Sequence, residues 1–98
     1  MDDSRLGELE EAEHYRVKIM PELKQLLTDI SAAIIDYPED LVIDEREEGD
    51  TIVFTVTVNE SDMGKIIGRR GKNAKCLRTV MKAAGNTVGK KIIVDIAE

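Results

Sequence analysis

Two hydrophobic periods take turns along this chain. Leu23, Leu26, Leu27, Ile30 and Ile34 recur at helical spacing on one face, which predicts a helix. Pro21 opens it, where a missing N–H is no loss, and Pro38 ends it. Leu41 to Glu48 begins apolar and becomes charged, the pattern of an edge strand. Thr51 to Val58 sets Ile52, Phe54, Val56 and Val58 on one side and Thr55 and Thr57 on the other, a strand rich in β-branched residues. Gly49-Asp50 between these runs reads as a hairpin turn. Ser61 or Asp62 is expected to cap a short helix through Ile67, broken by Gly68 to Gly71. A second helix is expected from Asn73 to Ala84 with the stripe Ala74, Leu77, Val80, Met81 and Ala84, stopped by a left-handed Gly85. Cys76, on the flank of that stripe, reads as a small packed hydrophobe. Lys91 to Ala97 is the last strand.

The order helix, strand, strand, helix, helix, strand predicts a topology. The hairpin supplies one antiparallel pair, and a strand that returns after a helical crossover runs parallel to a member of it. Each strand has one fully apolar side, so the helices gather on one face. The fold class is α+β, a three-stranded mixed sheet with helices on one face. Residues 1–20 carry only sparse apolar positions among acids and are read as a flexible acidic arm, leaving residues 21–98 as the domain.

With 98 residues the chain holds one domain. Its longest unbroken apolar run, Ala32 to Ile35, is too short to span a bilayer, and the acidic N-terminus does not resemble a secretory signal. One cysteine forms no internal disulfide. A reducing cytoplasm and a fold without metal or other cofactor are the expectation. The net charge of −6 hides a division. Residues 1–62 hold 5 Lys/Arg and 18 Asp/Glu for a net −13, while residues 63–98 hold 9 Lys/Arg and two acids for a net +7. A phosphate chain responds to the field within about 10 Å, so the basic third matters more than the total.

The chemistry concentrates in residues 64–72, Gly-Lys-Ile-Ile-Gly-Arg-Arg-Gly-Lys. Gly68 and Gly71 permit backbone angles closed to other residues and carry no Cβ to block an approaching group. The helix that follows aims unpaired N–H groups and its positive end at the same corner. Arg69, Arg70 and Lys72 add full charges. Lys75, Arg78 and Lys82 fall within an arc of about 60° beside the apolar stripe of that helix, and Lys65 lies just upstream. Such a corner accepts the phosphodiester of an extended strand.

Residues 66–72, an aliphatic pair followed by Gly-x-x-Gly with basic residues, resemble the K-homology (KH) signature. The element order is that of type II KH domains. From about Pro21 onward the chain is similar to the small single-KH RNA-binding proteins of bacteria, the KhpA type, through residues 62–68, 71–75 and 77–84. The resemblance implies single-stranded RNA held four nucleotides at a time, with the Gly68–Gly71 loop clamping the backbone. It implies Ile66 or Ile67 as a platform for bases and the strand near Ile92 and Val94 as the far wall. It further implies RNA chaperoning or post-transcriptional regulation, self-association, pairing with a larger KH protein of the Jag/EloR type, and links to cell shape and cell-wall synthesis. Where the pattern has a bulky aliphatic three residues after the second glycine, this chain has Ala74, which makes the groove floor shallower. The arm lies outside the match.

No catalytic set is legible: Cys76 and His14 are far apart, and Asp2-Asp3 and Glu47-Glu48 are side-by-side surface charges. The rival reading is a KH-fold protein-interaction module that pairs with a larger KH partner and binds nucleic acid weakly or not at all. Single-stranded DNA in place of RNA is a third reading. The intact Gly68-Arg69-Arg70-Gly71 favours nucleic-acid binding.

Overall fold

A computed structural model of the protein describes residues 22–98; the acidic arm and the opening of the first helix at Pro21 lie outside the described residues. Helix α1 covers residues 22–34. Strand β1 (Val42–Glu48) and β2 (Thr51–Thr57) form the hairpin, helices α2 (Met63–Ile67) and α3 (Lys72–Thr87) follow, and β3 (Lys91–Ile96) closes the sheet. The sheet order is β1-β2-β3, with β1–β2 antiparallel and β2–β3 parallel. This is the α+β, type II KH arrangement.

The register explains the layers. Ile43 pairs with Val56, Ile52 with Ile92 and Phe54 with Val94, so the apolar side of every strand looks the same way. Leu23, Leu27 and Ile35 from the α1 segment, Ile66 from α2, and Leu77 and Met81 from α3 cover that side. Phe54, Leu27, Ile66, Leu77 and Met81 are fully buried, each contributing about 1.5–3 kcal/mol by leaving water. On β1 only Ile43 is buried. Glu45 and Glu47 share its face at the sheet edge and are drawn into ion pairs with Lys24 (2.9 Å) and Lys90 (3.4 Å).

Five local expectations are corrected: the end of α1, the cap of α2, the stop of α3, and the burial of Val80 and Cys76. Helix α1 stops at residue 34, before Pro38 acts; Pro38 instead begins a short 3-10 turn, Pro38–Asp40. The cause is Asp62, which does not cap α2. Its carboxylate is buried and accepts the backbone N–H groups of Asp36 (3.0 Å) and Tyr37 (2.9 Å), tying the end of α1 to the start of α2. Ser61 caps nothing either; Asn59 accepts its N–H.

Helix α3 runs through Gly85 to Thr87. Its stop is a Schellman motif: Lys90 N–H reaches the Gly85 carbonyl (2.9 Å), Gly89 N–H the Asn86 carbonyl (3.3 Å), and Gly89 takes the left-handed position at φ +71°. Gly85 serves close approach instead. A Cβ there would sit 2.4 Å from Ile92 Cγ1, so the bare backbone lets α3 settle on β3. On the same helix Val80 is 41% exposed and Cys76 is exposed, not packed. The buried stripe is Ala74, Leu77, Met81 and Gly85.

Candidate nucleic-acid interface

The turn between α2 and α3 is built from backbone angles that few residues adopt. Gly68 lies at φ 77°, ψ 173°, and Gly71 at φ 72°, ψ 15°. Arg70 between them is left-handed at φ 55°, the one described non-glycine residue with positive φ. The Gly68 N–H bonds the Gly64 carbonyl at 2.9 Å and the Gly71 N–H bonds the Gly68 carbonyl at 3.2 Å. Asn73 Nδ2 donates to the Lys65 carbonyl at 2.7 Å, joining the start of α3 to the end of α2. Around Gly71 a Cβ would meet nothing within 4 Å, so that glycine is required by conformation alone and its surroundings stay open.

This geometry turns both arginines outward. Arg69, Arg70, Lys72 and Lys75 line an open depression of about 570 Å3. No carboxylate lines it, and none of the four forms an ion pair among the described residues. Helix α3 begins at Lys72 with no side-chain cap, so its first N–H groups and its positive end add to the same field. Lys82 lies at the far end of α3, where a second depression of about 470 Å3 is shared with Asp50, Asn86, Gly89, Lys90, Lys91 and Ile92. Lys91, the first residue of β3, joins Lys82 there, while Lys90 is paired with Glu47 (3.4 Å); the sequence reading assigned neither lysine to the site.

Three sequence-predicted residues do something more specific than widen a basic field. Lys65 is paired with Asp36. The hydrogen bond that Lys65 Nζ donates to the Asp36 carboxylate, aided by the charges of Asp36 and Asp62, raises the Lys65 pKa above the ordinary 10.5, and its charge is offset locally. Arg78 Nε donates to the Val94 carbonyl at 3.1 Å, so this side chain crosses from α3 to β3. Ile66 is fully buried in the core and is not a platform for bases, whereas Ile67 is only half-buried beside the loop. The Ile92 and Val94 side chains are likewise buried; what β3 turns toward this side is its backbone edge. Ala74, on the inward side of α3, is also buried.

No group of three or more His, Cys, Asp or Glu side chains arranged to hold a metal ion occurs among the described residues. No helix among them is long and apolar enough to cross a membrane.

Comparison with known proteins agrees with this geometry. The profile of the KhpA/KhpB KH domain matches residues 24–96. The RNA-binding protein KhpA of Oceanobacillus iheyensis is 42% identical over 74 residues, 76% of this chain and 99% of the relative. That of Listeria monocytogenes serovar 1/2a is 36% identical over 76 residues, 78% of this chain and 100% of the relative. That of Bacillus subtilis is 35% identical over 74 residues, 76% and 91% of the two chains. No solved structure matches significantly. A fold of this order, a glycine-bracketed dibasic turn and these matches place the chain in the KhpA/KhpB family of KH domains.

Proposed function

We propose that the protein binds single-stranded RNA and grips the ribose-phosphate backbone with the Gly68–Gly71 loop. One observation carries this reading: four exposed cations, Arg69, Arg70, Lys72 and Lys75, share a depression without a carboxylate, at the uncapped start of a 16-residue helix. Gly68 and Gly71 shape the clamp, Arg69, Arg70 and Lys72 neutralise phosphate, and Ile67 borders the groove. Lys75 and Lys82 extend the field along α3. The lining of the depression holds no aromatic side chain, so a single domain binds modestly and with strong salt dependence.

The cellular role that follows is RNA chaperoning or post-transcriptional regulation in the cytoplasm, without enzymatic turnover. Two weak sites in one assembly raise avidity without new contacts, which gives self-association, or pairing with a Jag/EloR-type KH protein, a physical purpose. The outward side of α3, where Cys76, Thr79 and Val80 are exposed, supports such pairing. The decisive experiment replaces Arg69 and Arg70 together by Asp and measures binding of a fluorescent single-stranded RNA. Affinity should be lost while circular dichroism and melting temperature stay close to wild type. Unchanged affinity would move the site elsewhere.

A further inference from the structure

The bond between Arg78 and Val94 has a consequence for which RNA is bound, given that the protein binds RNA as proposed above. Strand β3 is an edge strand. Lys91 N–H bonds the Asp50 carbonyl and Ala97 N–H the Val56 carbonyl, both toward β2. Alternation along a strand then turns the N–H and C=O of Ile92 and Val94 the other way, to the open edge. An open edge is commonly blunted by a charged side chain, and a blunting role alone would need only a donor. Arg78 supplies more than a donor.

A guanidinium has five N–H donors in a rigid planar fork and accepts nothing. Binding Val94 through Nε fixes the plane of that fork and leaves both terminal nitrogens uncommitted to that carbonyl. Their outward N–H pair matches a partner with two adjacent acceptors. Among the bases, cytosine offers O2 beside N3, and guanine offers O6 beside N7. Adenine sets its N7 beside an amino donor, and uracil sets each carbonyl beside the N3–H donor, so both leave one contact repulsive. Arg78 lies seven residues along α3 from Gly71, about 10 Å at 1.5 Å per residue. That distance falls inside the span of four nucleotides that a KH groove holds.

We infer that Arg78, oriented by the Val94 carbonyl, is a specificity-determining residue that selects a base carrying two adjacent acceptors, cytosine or guanine, over adenine and uracil. The clamp fixes the backbone and the Arg78 fork reads one base beyond it.

The test uses fluorescence anisotropy with labelled uridine decamers, one unmodified and three carrying a central triplet of cytidine, guanosine or adenosine. The wild-type protein should bind the cytidine or the guanosine decamer about tenfold or more tightly than the other two hosts, and whichever of the two is preferred names the base. Arg78→Lys keeps the charge and loses the fork. It should bind the four decamers within about twofold of one another, the wild-type preference being lost. Arg78→Met should weaken all four and leave no preference among them, the decamer favoured by the wild type losing most, and melting curves establish that both variants fold. Equal wild-type affinity for all four decamers overturns the base reading alone, as does a preference retained by Arg78→Lys. Failure of the wild-type protein to bind any decamer overturns the RNA-binding reading itself, and this inference with it.

Discussion

Gly68 and Asn73 leave no room for a side chain between them. A Cβ on Gly68 would lie 2.7 Å from Asn73 Cγ and 2.8 Å from the Asn73 backbone nitrogen. Asn73 is held there by its own bond to the Lys65 carbonyl, so the side chain does not simply swing aside. The backbone angles of Gly68 add a second obstacle, since φ 77° with ψ 173° is a region open essentially to glycine. Gly68→Ala should therefore cost about 1–3 kcal/mol and lower the melting temperature by roughly 5–20 °C. Gly71→Ala, strained in φ but meeting nothing, should cost less, about 1 kcal/mol. Thermal denaturation of both variants checks the order, and a reversed order would mean that the loop rearranges around Asn73.

Gly85 predicts an inversion of an ordinary rule. Gly→Ala inside a helix normally stabilises by about 0.5–1 kcal/mol. At Gly85 the added methyl would meet Ile92 Cγ1 at 2.4 Å and the Lys90 carbonyl oxygen at 2.7 Å. Gly85→Ala should destabilise, by about 1–3 kcal/mol as for other overpacked sites. Trimming the partner in Gly85→Ala/Ile92→Ala should not restore stability, because the Lys90 carbonyl stays in place and the trimmed isoleucine is itself a core loss. Urea titration of the single and double variants decides this.

Asp62 joins two elements through charge-assisted bonds to the backbone of Asp36 and Tyr37. Asp62→Ala removes both acceptors at once and should cost about 2–4 kcal/mol. Asp62→Asn keeps one oxygen and should recover part of that. Because α2 carries the loop at its end, Asp62→Ala should also weaken RNA binding, whereas Asp62→Asn, if folded, should bind nearly as wild type. Paired melting and anisotropy measurements separate the two effects.

The fold was legible from the chain because both periods were clean. The run Ile52, Phe54, Val56 fixed the inward side of β2, and Leu23, Leu27 and Met81 announced helices by spacing alone. The loop was legible because Gly68-Arg69-Arg70-Gly71 is local: all its chemistry sits within four consecutive residues. What escaped was long-range. Asp62 looks like a cap in sequence, and only packing brings it to the backbone of Asp36, 26 residues away. Gly85 looks like a helix stop until β3 is laid against it. Arg78 and Lys65 look alike as basic residues near the loop, yet one is committed to a carbonyl on β3 and the other to Asp36. Ile66 and Ile67 are neighbours of equal hydrophobicity, and only the helix phase of α2 sends one to the core.

Salt should tell the free cations from the paired one. Each phosphate neutralised on a single strand contributes about 0.7 to the slope of log K against log salt. Arg69→Ala and Lys72→Ala should each flatten that slope by about this amount. Lys65→Ala should change it by less than half as much, because Asp36 already offsets the ammonium. The sign of the Lys65 shift adds a control. A pKa raised above 10.5 keeps the pair fully formed below that value and lets it fade only as pH rises through the raised one. The Lys65→Ala effect should therefore be constant between pH 6 and 9, and a change within that window would contradict the pairing.

Arg70 carries strain that its replacement should expose. A β-carbon residue held at φ 55° stores about 1 kcal/mol that an ordinary helical or extended residue does not. Asparagine tolerates the left-handed region better than other non-glycine residues. Arg70→Asn should thus leave the melting temperature unchanged or raise it by a few degrees. The same change removes one of the four cations in the depression, so RNA affinity should fall several-fold. Higher stability with weaker binding would show that the strained angle is kept because it turns a guanidinium toward the phosphate chain. A variant that binds as tightly as wild type would show instead that the arginine at this corner is incidental. Differential scanning calorimetry and anisotropy on one preparation give both readings.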